Sequence, residues 1–288
     1  MIITEKIKVS KDRHNKKENN KREKFKEKPI KREKNIKRKK KNDEQVKDLN
    51  HNTSIDLNDC LNENYPSLFC ILLAVYFISR DNFILGIFSF VFILFIAYRD
   101  HKTSHNIKNI FSIIHHYHHE NDNFLSHFSQ IILEFAAVGI FLPLYYIFGT
   151  IFFNPWVFIF FILFYSSVHN INYSLLKVNG VHKLHHECTT TNIGPDICDI
   201  IYGTKHPSEA KVENTDHYIP NIIFASIIVL ILQYFWKNDT NKKYMLFTLT
   251  SFILSSFIFL ITTSFVLWSE HTKLNNNNNI DIDSIHQK

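Results

Sequence analysis

Three short histidine-rich stretches decide the fold of this chain: HKTSH at residues 101–105, HHYHH at 115–119 and HKLHH at 182–186. The segment from His101 to His186 holds eleven of the seventeen histidines. Each stretch, called a box below, stands where a long apolar run meets polar sequence. Residues three and four positions apart share a face of a helix, so we expect the histidines of each box to point one way. The pattern predicts one metal site at a membrane boundary.

The composition is that of a helical, lipid-compatible protein. The chain has 288 residues, enough for one large or two small domains, and it is 45% apolar with 27 Phe, six Gly and seven Pro. Residues 1–50 contain 20 Lys and Arg against 9 Asp and Glu, a net charge of +11, whereas the whole chain carries +6 and its remainder therefore −5. The four cysteines follow no paired spacing, which indicates reduced thiols.

The two ends of the chain are expected to be disordered. Residues 1–58 are rich in Lys, Asn and Glu and cannot bury a core. We interpret them as a basic cytosolic tail that contacts anionic lipid head groups rather than nucleic acid, because the sequence downstream is typical of a membrane protein. No signal peptide opens the chain. Residues 271–288 form an Asn-rich tail.

The apolar runs predict an all-α integral membrane protein. We expect a core over residues 59–220 with two transmembrane helical hairpins and a cytosolic histidine-rich metal cap, followed by an extra apolar helix pair over 221–270. The runs cover residues 66–79 and 83–98, split by Arg80-Asp81-Asn82; 128–153 and 155–170, turning near Gly149 and Asn154-Pro155; and 221–236 and 245–268.

The order of these runs predicts which side of the membrane carries the boxes. One hairpin separates the second box from the third, so all boxes lie on one face, and the first hairpin puts the basic tail on that face. A basic tail stays cytosolic. Three lysines, Lys237, Lys242 and Lys243, lie in the last turn, which would be lumenal if the final pair spans. That pair is therefore either spanning, re-entrant or laid along the surface.

The boxes hold nine histidines, and the eight other than His116 form a set that suits two ions rather than one. Neutral imidazole is a good ligand for divalent iron, zinc or copper, and the lack of Cys argues against a closed structural zinc site. His116 lies off the box face and is interpreted as a bystander. His127 either hydrogen-bonds a ligand or begins a helix, and Glu120 and Glu187 either orient an imidazole or are solvated. The chain has no GxSxG, HExxH or Gly-rich phosphate loop.

In combination, the boxes resemble the fatty acid hydroxylase/sterol desaturase superfamily of membrane oxygenases. The stretch from Asn192 to Asp196, then Asp199 and Tyr202-Gly203-Thr204, is similar to the continuation of that family after its last box. The resemblance covers about residues 66–219. It implies a four-helix membrane base with a cytosolic cap that holds two irons.

The resemblance also implies a set of ligands. The metal ligands would be His101, His105, His115, His118, His119, His169, His182, His185 and His186. His169 occupies the first position of a further HxxxH pair, but Tyr173 stands at the second, so Tyr173, His206 or His217 would complete one ion's coordination. Further ligands, or residues that hydrogen-bond a ligand, would come from His127, Glu120, Glu187, Asn192, Asp196 and Asp199.

The expected function is that of a lipid hydroxylase in the endoplasmic reticulum membrane. Two iron ions, which zinc can replace in purified protein, would use O2 and external electrons to hydroxylate a fatty acyl chain, sphingolipid or sterol. The resemblance implies a b-type haem cytochrome and its NAD(P)H reductase as electron donors. A desaturase and a catalytically impaired scaffold are the alternatives. A metal carrier is disfavoured, since only Glu134 and His169 are ionisable within the apolar runs.

Overall fold

The computed structural model describes residues 56–80, 82–106, 112–139, 153–209 and 211–286, and these residues are helical with irregular connections. The expectation of an all-α protein is confirmed for this part of the chain. The helices are α1 (Leu57–Glu63), α2 (Tyr65–Ser79), α3 (Phe83–Asn106), α4 (Ser112–Glu120), α5 (Phe124–Gly139), α6 (Pro155–Ser167), a π-helix (Val168–Leu175), α7 (Val181–Glu187), α8 (Asp196–Tyr202), a 3-10 turn (Asp216–Tyr218), α9 (Ile219–Trp236) and α10 (Asp239–His286).

Within the described ranges, four stretches of helix are long and apolar enough to cross a membrane, which indicates a membrane protein. They expose large apolar side chains such as Ile84, Phe224 and Phe247, as a lipid-facing surface requires. Because α1 and α2 are bent by 76° at a short break, they form a fifth candidate if they are counted as one broken span. The four are Phe83–His105, Pro155–Leu175, Asp216–Trp236 and Asp239–Ser269.

The bend between α1 and α2 is fixed by hydrogen bonds to a distant part of the chain. Asn64 ends α1, and its side-chain oxygen accepts bonds from the backbone N–H and the hydroxyl of Thr215, each at 2.8 Å. The hydroxyls of Ser67 and Thr215 lie 2.5 Å apart. These buried groups have their hydrogen bonds satisfied, so they hold the start of α2 against the segment that leads into α9.

Helix α3 joins the second apolar run, residues 83–98, to the first box without a break. The sequence ends the apolar run at residue 98, but the helix continues to Asn106. It contains no Pro after Phe83, and its one Gly lies near its start. That glycine, Gly86, packs so closely on α2 that a Cβ there would lie 2.8 Å from the Cβ of Ser79. The first box is therefore the end of a long, rigid helix.

An apolar core joins α2, α6 and α9. Fully buried side chains from the three helices meet there, among them Val75, Phe160 and Val229. The polar exception is Gln233, whose amide donates to the carbonyl of Ile78 at 2.8 Å. A second, smaller cluster, Ile114 with Ala136 and Leu260, packs α10 against α4 and α5. The last apolar helix thus supports the helix that carries the second box.

The structure describes one of the two expected turn residues between the apolar runs, and it also describes most of the C-terminal region. Asn154 caps α6 as expected of Asn-Pro, because its side chain accepts a hydrogen bond from the backbone N–H of Trp156 at 3.0 Å. Gly149, the other expected turn residue, and most of the basic tail lie outside the described residues. A short turn, Lys237-Asn238, separates α9 from α10. The backbone of α10 continues as helix through most of the Asn-rich stretch, to His286.

Candidate metal centre

Eight histidines form two neighbouring clusters whose ring nitrogens converge. In each cluster, the chosen nitrogen atoms all lie within 4.8 Å of one another. Both clusters consist of imidazoles alone, the donor set expected from the three boxes. The first cluster contains His101, His105, His115, His119 and His185. The second cluster contains His118, His182 and His186.

Each of the last two boxes divides its histidines between the clusters, so the expectation that a box points one way is corrected. His115 and His119, four residues apart, enter the first cluster, whereas His118 enters the second. In α7 the division is reversed: His182 and His186 enter the second cluster and His185 the first. Neighbouring residues on a helix are turned by about 100°, whereas residues four apart nearly overlap. The helices α4 and α7 therefore contact both clusters.

The distances in the first cluster suit ligands of one ion. The Nε2 atom of His105 lies 3.1 Å from that of His115 and 3.2 Å from that of His185. The Nε2 atoms of His185 and His101 lie 3.1 Å apart. Two imidazoles bound to one ion at about 2.1 Å bring their nitrogens to about 3.0–3.4 Å of each other, so the observed spacing fits shared coordination.

The second cluster adjoins the first. The Nε2 atoms of His182 and His186 lie 2.9 Å apart, and the ring of His118 lies 5.1 Å from that of His186. The ring of His186 stacks on His119 of the first cluster with centroids 4.1 Å apart. The imidazoles of the two clusters are therefore in direct ring-to-ring contact.

Hydrogen bonds to Nδ1 turn three of the rings so that Nε2 faces a cluster. The Nδ1–H of His185 donates to the carbonyl of Thr191 at 2.8 Å, and that of His115 donates to the side-chain oxygen of Gln130 at 3.3 Å. The Nδ1 of His118 lies 3.3 Å from the hydroxyl of Ser126. A ring whose Nδ1 carries the proton has its lone pair on Nε2. These partners leave Nε2 available to bind metal.

The hydrogen bonds of these histidine rings show whether the clusters fit a metal ion. His115 and His185 both present a lone pair toward Nε2 of His105, which can donate one proton to only one of them. Nε2 of His118 and both nitrogens of His119 are buried with no hydrogen-bond partner in the described part of the chain. Converging lone pairs and unpartnered buried nitrogens are costly without a cation. The residues fit two metal ions.

The loop after α7, which carries Thr191, is held by hydrogen bonds to Asp199. The carboxylate of Asp199 accepts hydrogen bonds from the backbone N–H groups of Ile193 and Gly194 at 3.0 and 3.3 Å and from the hydroxyl of Thr204 at 2.6 Å. Gly194 packs on α3, since a Cβ there would lie 2.8 Å from the ring of Tyr98.

Two other residues of this loop, proposed from the sequence as ligands or their partners, hold the loop itself. Asn192, with a φ of 49°, accepts from the backbone N–H of His206 at 2.9 Å. Asp196 binds the side chain of Lys205 at 2.6 Å and the backbone N–H of Glu213 at 2.6 Å. With Asp199, they lie outside the two clusters and form the base of the loop that carries Thr191.

His169, a predicted ligand, lies beside the second cluster in the π-helix. Its ring is 4.7 Å from that of His182 and 5.4 Å from that of His118, but it is not one of the three grouped ligands. Its Nδ1 hydrogen-bonds the carboxylate of Glu134, and both side chains are buried. The π-helix, a rare form that is frequent at functional sites, carries both His169 and Tyr173.

Tyr173 lies next to the second cluster, and its hydroxyl forms hydrogen bonds. Its ring stacks on His182 with centroids 5.6 Å apart, while its hydroxyl donates to Glu213 at 2.6 Å and lies 2.5 Å from the hydroxyl of Tyr218. Burial raises the pKa of the Glu213 carboxyl to about 7. His217 hydrogen-bonds the carbonyl of Asn214 at 3.1 Å and lies outside both clusters.

The other candidates lie further out. His206 hydrogen-bonds Ser208 at 2.7 Å and is not in a cluster. His127 binds the exposed Asp122 at 2.9 Å, and its ring lies 5.3 Å from His118. Glu187 is exposed and pairs with Lys183 at 4.0 Å.

Two further residues complete this outer set. Glu120 is exposed at the end of α4. The ring of His116 lies 6.2 Å from that of His105, and His116 is not among the grouped ligands.

Sequence reasoning missed the side chains that orient the rings. Ser126, Gln130 and Glu134 lie four residues apart on α5, where they contact His118, His115 and His169. The available signal was their helical spacing within a helix that is otherwise mostly apolar. The carbonyl of Thr191 carries no such signal, since any residue type supplies one.

The electrostatics of the clusters favour neutral imidazole. Burial lowers the pKa of the ring well below its usual 6.5, and neighbouring imidazoles lower it further. Neutral imidazole is the form that binds metal, so the site is prepared for a cation at neutral pH. This applies to the rings of His115, His118, His119, His182 and His185.

A pH dependence of stability follows for the metal-free protein. Below pH 6.5 the unfolded chain binds protons that the folded clusters exclude, so the free energy of unfolding falls as the pH drops. The expected slope is about 1.4 kcal/mol per pH unit for each ring kept neutral. Melting of metal-stripped protein in detergent, followed from about pH 8 to about pH 5, checks this. A melting temperature that stays constant over this range contradicts buried, neutral rings.

Comparison with known proteins adds no relative. No family model, no curated protein and no solved structure matches the chain.

Proposed function

We propose that the chain is a membrane-bound di-iron oxygenase that hydroxylates a lipid: a fatty acyl chain, a sphingolipid or a sterol. One observation carries the proposal. Eight imidazoles from three boxes converge in two adjoining clusters, and the first box ends the long apolar helix α3. Two adjoining groups of nitrogen donors with no Cys would hold a pair of ions, and such a pair would be suited to react with O2. The resemblance of the boxes to membrane hydroxylases points the same way.

The metal pair, when bound, supplies the chemistry of reducing O2 with external electrons and inserting oxygen into an unactivated C–H bond. The protein's own residues hold and orient the ligands. Thr191 and Gln130 fix the protons of His185 and His115 on Nδ1, so that their Nε2 atoms stay free of protons. Buried aromatic side chains such as Phe158, Phe160 and Phe161 on α6 keep water from the membrane side of the clusters.

The proposal includes the setting of the reaction. The two apolar pairs before α7 would form transmembrane hairpins, with the clusters as a cap on the cytosolic side of the endoplasmic reticulum membrane. A b-type haem cytochrome and its NAD(P)H reductase would deliver electrons on that side. The lipid substrate would enter from the bilayer between the apolar helices.

Metal analysis joined to lipid analysis tests the function. The full chain, produced in a lipid-synthesising host and purified in detergent, is expected to bind two ions per chain. Membranes that contain it are expected to accumulate a lipid that is 16 mass units heavier, by one oxygen atom, in an O2-dependent way. Protein that binds two ions but changes no lipid would refute the enzyme and support the scaffold.

Desaturation is the second candidate within the same chemistry. The same clusters and resemblance favour it, because removal of a second hydrogen can replace oxygen insertion. Mass spectrometry separates the two: a product lighter by two mass units, with no gain of oxygen, identifies a desaturase.

A further inference from the structure

One face of α5 carries three polar side chains that contact histidines of both clusters. We refer to Ser126, Gln130 and Glu134 as the α5 stripe. Their spacing of four residues places them on one side of the helix. The rest of the helix is largely apolar, and burying polar groups there is costly unless each is hydrogen-bonded. Each member has such a partner in a histidine.

Two residues of the stripe, Gln130 and Glu134, form a hydrogen-bonded path from the first cluster to His169, whose ring borders the second cluster. His115 of the first cluster donates to the oxygen of Gln130, and the amide nitrogen of Gln130 donates to Glu134 at 3.2 Å. Glu134 in turn accepts from Nδ1 of His169, whose ring touches His182 and His118 of the second cluster. The path therefore links the first cluster to the border of the second through one carboxylate.

The carboxylate of Glu134 pairs with the imidazole of His169, which is a cation only when it is protonated. Glu134 is 7% exposed, and it accepts from His169, Gln130 and, at 3.0 Å, the amide of Asn170. No lysine or arginine contacts it among the described residues. A buried carboxylate without a cation is strongly unfavourable. Ions bound in the two clusters, whose histidines contact Gln130 and His169, would supply positive charge that compensates it.

We propose that Glu134 is a positioning residue for both ion sites: through Gln130 and His169 it orients the imidazoles that bind the two ions, and its charge stabilises them. The inference rests on the proposed metal centre. It predicts that a residue outside both clusters controls the affinity of both ions.

The test is metal binding by the full chain in detergent, with Zn2+ for affinity and Co2+ for its visible spectrum. Glu134→Gln keeps the shape but removes the charge and one acceptor. The expected result is about 10–100-fold weaker Zn2+ binding at both sites. The Co2+ bands, which report ligand geometry rather than folding, are expected to shift. Unchanged affinity and spectrum, or a change at one site only, overturns the inference.

The matched control is Ser129→Ala, which alters a fully buried hydroxyl on the same helix that has no hydrogen-bond partner in the described part of the chain. It is expected to match the wild type, and a loss of metal equal to that of Glu134→Gln assigns the effect to helix packing and overturns the inference. If Glu134→Gln does not fold, Gln130→Leu breaks the hydrogen bonds of Gln130 to His115 and to Glu134 and leaves the contact between Glu134 and His169 in place. It is expected to weaken the first cluster alone, and an unchanged first site overturns the path. Wild-type protein that binds no pair of ions refutes the proposed function itself.

Discussion

Replacing His185 with alanine is expected to reduce the bound metal from two ions per chain to one and to lower lipid oxidation by more than about 100-fold. His185 is 1% exposed, and its Nε2 lies 3.1 and 3.2 Å from those of His101 and His105. Its removal takes a central ligand from the five-imidazole cluster and leaves a cavity there. Elemental analysis and product mass spectrometry measure the two effects.

The matched control is His206→Ala, which removes an imidazole that hydrogen-bonds Ser208 and lies outside both clusters. It is expected to keep both ions and full activity. His182→Ala is expected to remove the other ion, because His182 belongs to the three-imidazole cluster. A His185→Ala protein that retains two tightly bound ions and oxidises lipid at the normal rate would contradict the metal-centre proposal.

Replacing Asp199 with alanine is expected to give the largest loss of stability. Asp199 is fully buried, and the substitution leaves two backbone N–H groups and the hydroxyl of Thr204 without their acceptor. Unsatisfied buried donors cost about 1–3 kcal/mol each, so the total is about 3 kcal/mol or more. The loop that carries Thr191 then loosens, and the first ion is expected to be lost with it. Melting temperature and metal content in detergent check both effects.

Two further variants sharpen the prediction for Asp199. One oxygen of the Asp199 carboxylate accepts from both Ile193 and Thr204, and an amide keeps this oxygen while it loses the acceptor for the N–H of Gly194. Asp199→Asn is therefore expected to lose less than half as much stability as Asp199→Ala. Glu187→Ala, which removes an exposed carboxylate next to the third box, is expected to change stability by less than about 0.5 kcal/mol. If Glu187→Ala and Asp199→Ala are equally destabilising, the loop has no special role.

The helices of the described ranges are predictable from the sequence because they depend on local pattern, and the same is true of the choice of box histidines as candidate metal ligands. Apolar runs bounded by Arg80-Asp81-Asn82 and Asn154-Pro155 become helices with those bounds. The eight box histidines are the eight in the two clusters. Their division between clusters was not foreseen, since treating His118 and His119 as one face ignores the rotation of about 100° between neighbours.

The partners of the rings were harder to predict, because they depend on contacts between distant segments. Glu134 stands out in the sequence as an ionisable residue in an apolar run, but its contact with His169, 35 positions away, requires the packing of α5 on α6 and the π-helix. Tyr173 was interpreted as a substitute ligand. Its hydroxyl lies with Glu213 and Tyr218, a contact between the π-helix and the segment before α9.

The ligands of the first cluster come from α3, α4 and α7, and this dictates an order of biogenesis. His101 and His185 are 84 positions apart, so translation must make the intervening helices before the pair can meet. An ion bound there would link two segments that are far apart in the chain. The stabilising free energy of such a link grows with the length of the loop that it closes. Metal binding at this cluster would thus be the final step of maturation, and a cell starved of the metal is expected to accumulate a fully synthesised but loosely closed chain.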